Sequence, residues 1–140
     1  VIERDLLESQ LQLTYRKDLD VLFLRWFKVP DSEGLRQGYM KALELAEEVG
    51  GSYWMFDLRS RGKVSEQDET WLLEEYFPMV EERLGQQNYF ANLVMPSHYN
   101  YIEDSFGFEY LINLGKLTQL AVFTSEQEAV AWLLKSRADR

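Results

Sequence analysis

Residues Ser52–Ser65 read SYWMFDLRSRGKVS, and this stretch decides the fold. Tyr53-Trp54-Met55-Phe56 is an unbroken apolar run of strand length, as expected of a strand buried on both faces. The chain then turns polar through Asp57, Arg59, Arg61 and Lys63 and ends at Ser65, a residue type that caps helix N-termini. A buried strand feeding a charged loop into a helix is the repeating unit of open α/β sheets, which place ligands at the carboxyl ends of their strands.

Upstream, Gly50-Gly51 closes a helix begun by Pro30, Asp31 and Ser32. In it Leu35, Tyr39, Ala42, Leu43 and Ala46 form one apolar stripe. Before that, Leu11, Leu13 and Tyr15 alternate with polar residues, the period of a strand with one wet face. Val21–Phe27 (VLFLRWF) pairs with it across the turn at Lys17–Asp20. Arg25 is expected at the strand end, its stem on the core and its head in water. Residues 1–9 have no clear period and read as a loosely ordered arm.

Downstream, Trp71, Leu72, Tyr76 and Phe77 suit a helix starting at Ser65. Pro78 predicts a break near Tyr76–Phe77, since a proline inside a helix costs about 3 kcal/mol. A further helical piece then runs to Leu84 and Gly85. Glu66, Asp68, Glu69, Glu74, Glu75, Glu81 and Glu82 fall here without a basic residue and read as a negative, solvent-facing surface. Tyr89–Met95 is a buried strand stopped by Pro96. Tyr99–Asn113 reads as a helix that Gly107 weakens by roughly 1 kcal/mol relative to alanine. Leu117–Phe123 is the last strand, and Ser125 with Glu128 makes a capping box for a final helix carrying Val130, Trp132, Leu133 and Leu134. The order β-β-α-β-α-β-α-β-α implies a single α/β domain, with a five-stranded, mixed, mostly parallel sheet and about four helices.

Bulk composition narrows the partners. Hydrophobic residues make up 46% and aromatic residues 14%, ample for a core, and the net charge is −9 from 24 acidic and 15 basic residues. That balance argues against nucleic acid or an anionic membrane surface. There is no cysteine, which excludes disulfides, thiolate metal sites and a cysteine nucleophile. No stretch has the apolar length of a membrane span, and Glu3, Arg4 and Asp5 stand where a signal-peptide core would be. The expectation is a cytoplasmic protein with no membrane insertion and no cofactor.

Parallel strands end at one edge, so Val29–Ser32, Asp57–Lys63, Ser97–Tyr99 and Thr124–Ser125 should converge. The polar set there is Asp31, Asp57, Arg59, Arg61, Lys63, His98, Tyr99 and Thr124, with Asp57, Arg59, Arg61, His98 and Tyr99 the candidate ligand-binding residues. An enzyme would use His98 as a base beside Asp57, with Arg59 holding an anionic group. Otherwise these are loop residues that cap helices and pair with neighbours. For Arg59, Arg61 and Lys63 the favoured partners are Glu66, Asp68 and Glu69 in the next helix, ahead of an external anion. One histidine cannot build a histidine-rich metal site, and the adjacent pairs Glu74-Glu75 and Glu81-Glu82 splay apart on a helix. No Gly-x-Ser-x-Gly or Gly-x-Gly-x-x-Gly occurs. Tyr99, Tyr101, Phe106 and Phe108 cannot all face inward from one helix, and some should line a pocket or a dimer contact.

Four features together resemble the SpoIIAA-like proteins, relatives of the STAS and CRAL-TRIO folds found in small bacterial proteins. They are the leading hairpin, the strand ending in Phe56-Asp57-Leu58-Arg59, the Trp71…Phe77-Pro78 helix, and the ending Val122-Phe123-Thr124-Ser125…Glu128-Ala129…Ala131-Trp132-Leu133. The resemblance spans Leu11 to Leu134 and lies in order and spacing. It implies a non-enzymatic binding or regulatory module acting through protein contacts, with a protein partner or a second copy. The CRAL-TRIO kinship adds an alternative, a carrier of a small apolar or anionic ligand between sheet and helices. STAS antagonists of anti-sigma factors are switched on a serine in an Asp-Ser-small-Gly motif. Here Leu58-Arg59 intervene between Asp57 and Ser60, the motif is absent, and Ser60 and Ser65 stand only as weak phosphorylation candidates.

Overall fold

All the expected strands form in the computed structural model, which describes residues 2–6 as backbone and residues 10–139 with their side chains. They are β2 (Leu11–Arg16), β3 (Val21–Trp26), β4 (Tyr53–Asp57), β5 (Asn88–Leu93) and β6 (Thr118–Phe123). The expected arm needs correction over part of its length. Ile2–Leu6 forms β1, antiparallel to β2 with Ile2 opposite Tyr15 and Leu6 opposite Leu11. The sheet therefore has six strands where five were expected. Residues 1 and 7–9 lie outside the described residues. A segment reading IERDL has no alternation to announce it; it is a strand because β2 offers an edge.

Strand order in the sheet follows chain order, antiparallel from β1 to β3 and parallel from β3 to β6. Each crossover steps to the next strand in the same direction, so connections of one hand lay their helices on one face. That face carries α1 (Ser32–Val49), α2 (Glu66–Trp71), α3 (Phe77–Leu84), α4 (Pro96–Ser105) and α5 (Phe108–Ile112). Its core joins Leu13, Leu24, Trp54, Phe56 and Phe90 of the sheet to Tyr39, Leu43, Tyr76 and Val80 of the helices. On the other face, among the described residues, the one covering helix is α6 (Glu126–Ala138), whose Ala129 and Leu133 pack on Tyr53, Met55, Ala91 and Leu93. β4 is buried from end to end because it lies between these two cores. On the α6 face, Gln12, Thr14, Phe23 and Arg25 of β2 and β3 remain half-buried.

Three expectations are corrected in detail. The break before Pro78 is a π-helical turn, Leu72–Tyr76, in which the Phe77 N–H reaches the Leu72 carbonyl and the proline falls in the first turn of α3. A widened turn of this kind lets the helical path continue up to a residue that lacks an N–H. The expected helix Tyr99–Asn113 is two helices. Pro96 opens α4, and the chain breaks at Gly107, whose φ of 82° an L residue rarely adopts. The acidic stretch is not wholly solvent-facing. Asp68 is buried against Ser32, Arg36 and Ser65, and Glu81 accepts the Leu117 amide and the Thr118 hydroxyl. These carboxylates serve as internal acceptors that tie helices to neighbouring elements. No helix among the described residues is long and apolar enough to cross a membrane.

Candidate functional site

Side chains alternate along β4, and its carboxyl end therefore sends polar groups to both sides of the sheet. Asp57 shares the α6 side with Tyr53 and Met55. Its carboxylate is closed in by two arginines. Arg25 Nε donates to Oδ2 at 3.0 Å, and Arg59 donates to Oδ1 at 3.0 Å through Nε and to Oδ2 at 2.8 Å through Nη2. The Arg59 amide adds a bond at 3.2 Å. Glu126, in the first turn of α6, takes Arg25 Nη2 at 2.7 Å and lies 3.8 Å from Arg59 Nη2. Burial alone would raise the Asp57 pKa, but the hydrogen bonds from Arg59 and the charges of Arg59 and Arg25 outweigh it. The carboxyl is held below its ordinary value. This cluster of two cations and two anions is closed on itself.

On the opposite side, the same loop delivers Arg61 into the apolar core. Arg61 is only 4% exposed. Nη1 donates to the Tyr39 hydroxyl at 2.6 Å and Nε to the Gly62 carbonyl at 3.1 Å. Neither acceptor is charged, and Arg61 makes no ion pair with a carboxylate among the described residues. Buried charges are normally paired, because an uncompensated one costs several kcal/mol of solvation. The expected pairing of Arg59, Arg61 and Lys63 with Glu66, Asp68 and Glu69 is corrected accordingly. Arg59 pairs with Asp57, Lys63 lies over the Tyr101 ring at 4.5 Å, Asp68 bonds Arg36, and Glu69 accepts the Tyr101 hydroxyl.

Arg61 lines a cavity of about 70 Å³ between the sheet and α1 to α5, partly open to solvent. Most of its wall is apolar, with Leu58, Leu72, Phe77, Ile102 and Leu120 prominent. Its polar groups are Arg61, Tyr39, Asn92, His98 and, half-buried, Glu69. Asn92 Oδ1 and His98 Nδ1 are sealed from solvent and have no hydrogen-bond partner. Asn88, on the same face of β5, shows the usual state of a buried amide. It accepts from Trp54 Nε1 at 3.2 Å and donates to the Gln86 carbonyl at 2.9 Å. His98 also lines an outer depression of about 340 Å³ with Lys63, Met95 and Tyr101. Its pKa is lowered to about 4, first by burial and then by the charges of Arg61 and Lys63, so the ring is neutral at pH 7. Burial raises the Tyr39 pKa, so that hydroxyl keeps a proton to donate.

The candidates named from the sequence thus separate. Asp57 and Arg59 belong to the closed cluster, and Arg61 and His98 to the cavity. His98 and Asp57 lie on opposite faces of the sheet and form no base–carboxylate pair. Tyr99 packs on the Phe108 ring at 4.7 Å and is not part of the cavity wall, which takes Phe106 from the aromatic group. Ser60 is exposed, and Ser65 caps α2 through the Asp68 amide. Asp31 caps α1 by accepting the Gly34 amide at 2.7 Å. Asn92, Tyr39 and Glu126 were not singled out in the sequence. A signal existed for Asn92, a lone amide inside the apolar run YFANLVM; Tyr39 is indistinguishable from an ordinary member of a helix stripe. No group of three histidine, aspartate or glutamate side chains among the described residues converges to hold a metal ion. Comparison with protein-family models, curated proteins and solved structures finds no match to this chain.

Proposed function

We propose that this chain is a binding module of the SpoIIAA-like kind, without a reaction of its own, and that its cavity receives a small carboxylate with an apolar body. One observation carries the reading: a buried arginine that makes no ion pair with a carboxylate among the described residues, set in the wall of a mostly apolar cavity. Arg61 and the Tyr39 hydroxyl supply donors for an anion, and a carboxylate would restore the charge balance that burial normally demands. The aliphatic and aromatic wall suits a hydrocarbon body. The cavity is partly open to solvent, so it selects for the carboxylate head at Arg61 and not for the length of the chain behind it. Of the two binding readings, protein contacts and a small ligand, the cavity favours the second.

Titration with butyrate, followed by NMR, tests this. Butyrate should shift resonances of Arg61, His98 and Phe106, uncharged butyramide should do so at least tenfold more weakly, and Arg61→Met should abolish the difference. Equal responses to butyrate and butyramide in the wild type, or none to either, would overturn the reading.

A further inference from the structure

Glu69 of α2 lines the same cavity as Arg61. The two make no ion pair, and Glu69 pairs with no other cation among the described residues. A desolvated arginine and a carboxylate in one cavity wall should close on each other unless another contact keeps them apart, because an unpaired buried charge is costly. That contact is on the far side of Glu69. The Tyr101 hydroxyl, on α4, donates to the Glu69 carboxylate and lies 3.2 Å from both of its oxygens. Tyr101 lines the outer depression and not the cavity, whereas Arg61 lines the cavity and not the depression. The bond therefore draws the carboxylate outward, away from Arg61.

Resting on the carboxylate reading, we infer that Tyr101 is a positioning residue: it holds Glu69 at the rim and keeps Arg61 open to a carboxylate from outside. Its ring is fixed for this role. Lys63 stands over it at 4.5 Å and Phe106 meets it edge-on at 6.4 Å, so the hydroxyl does not follow Glu69 inward. Without that hydroxyl, Glu69 has two unpaired cations to choose from. Lys63 is exposed, and an exposed pair is worth little. Arg61 is buried, and a partner there relieves a desolvated charge. The internal pair then competes with any ligand at the effective concentration of a tethered group, on the order of millimolar. Tyr101 thus decides whether the protein's own carboxylate or a ligand's reaches Arg61.

Butyrate titration of Tyr101→Phe tests this, since the variant loses one hydroxyl and keeps the ring. It should bind butyrate about tenfold or more weakly than the wild type. Adding Glu69→Gln should restore the wild-type affinity, a rescue that a merely structural role of Tyr101 would not give. A smaller loss, or one that Glu69→Gln does not rescue, overturns the inference and leaves the carboxylate reading standing. If butyrate binds to no form of the protein, the carboxylate reading fails, and the holding role of Tyr101 is read from denaturation instead. Glu69→Gln and Arg61→Met should then add in the wild-type frame and fail to add beside Tyr101→Phe; additivity in both frames overturns the role. Should Tyr101→Phe not fold, Glu69→Gln alone decides. With Glu69 held at the rim, it should raise butyrate affinity by less than about fivefold, the scale of an exposed charge. A larger gain would place Glu69 at Arg61 already and overturn the inference.

Discussion

At the carboxyl end of β4 the two sides of the sheet treat the same kind of residue in opposite ways. On the α6 side, Arg25 and Arg59 meet Asp57 and Glu126, and every charge has its complement within the protein. On the other side, four residues after Asp57, Arg61 is more deeply buried than either of those arginines yet has two uncharged acceptors. Asn92 and His98 stand in the same cavity with polar atoms unmatched. Polar groups that satisfy one another act as structure, while groups that cannot do so are free to act on something else. The first side belongs to stability, and the second is where a ligand would gain the hydrogen bonds the protein leaves open.

Substitution of the two ends of the loop should separate these roles most strongly. Asp57→Ala would leave Arg25 and Arg59 facing each other beside a strand end where the Asp57 side chain is 5% exposed. Breaking a buried pair costs about 3–5 kcal/mol. Because both arginines reach water, about 2 kcal/mol is expected here, with butyrate binding retained. Arg61→Met should do the reverse, changing stability by less than about 1 kcal/mol, since an apolar replacement removes a desolvated charge, and losing the ligand. Chemical denaturation of both variants alongside ligand titration checks the pair. Equal destabilisation by the two would erase the distinction between the sides.

A smaller effect concerns pH. His98 titrates near 4 in the fold against an ordinary 6.5, so between those values the unfolded chain holds the extra proton and the native state does not. Stability should therefore fall as pH drops from about 6.5 toward about 4, through this one group. Asp57 and Asp68, both held below the ordinary 3.8, add their own loss only at lower pH. There the unfolded carboxylates are protonated first. His98→Gln should flatten the upper part of the profile and leave the acid limb in place. An unchanged slope between pH 6.5 and 4 would mean that the ring is solvated and its burial does not oppose protonation. The least effect is expected from Arg16→Ala. Arg16 pairs with Asp18 at 2.6 Å, but the side chains are 44% and 58% exposed. Its removal should leave the denaturation midpoint unmoved, because an exposed pair exchanges one solvated state for another.

Much of the fold was legible in local order. The apolar run Tyr53–Phe56, the alternation at Leu11–Tyr15 and the caps at Asp31, Ser65 and Ser125 are short-range signals, and each marks an element that forms. Where local signals are weak, sequence and structure part. β1 depends on an edge offered by another strand. Asp68 and Glu81 carry the pattern of surface residues because burial of a carboxylate depends on donors that come from distant residues, Ser32 and Arg36 for one, Leu117 and Thr118 for the other.

By itself, then, the sequence determined the α/β class, the strand that runs through the centre of the sheet and the loop where polar groups gather. Periodicity and capping are properties of neighbouring residues. Only the tertiary structure decided that Asp57 and Arg61 point to different faces, and that one finds partners while the other does not. A residue's side of the sheet follows from strand parity, but its partners follow from which helices cover that side. Arg25, one partner of Asp57, stands 32 residues away along the chain, and the Tyr39 hydroxyl that accepts from Arg61 stands 22 away. Such distances carry no local signature. They exist because α6 covers one face, while the helical segments from α1 to α5 cover the other around a cavity.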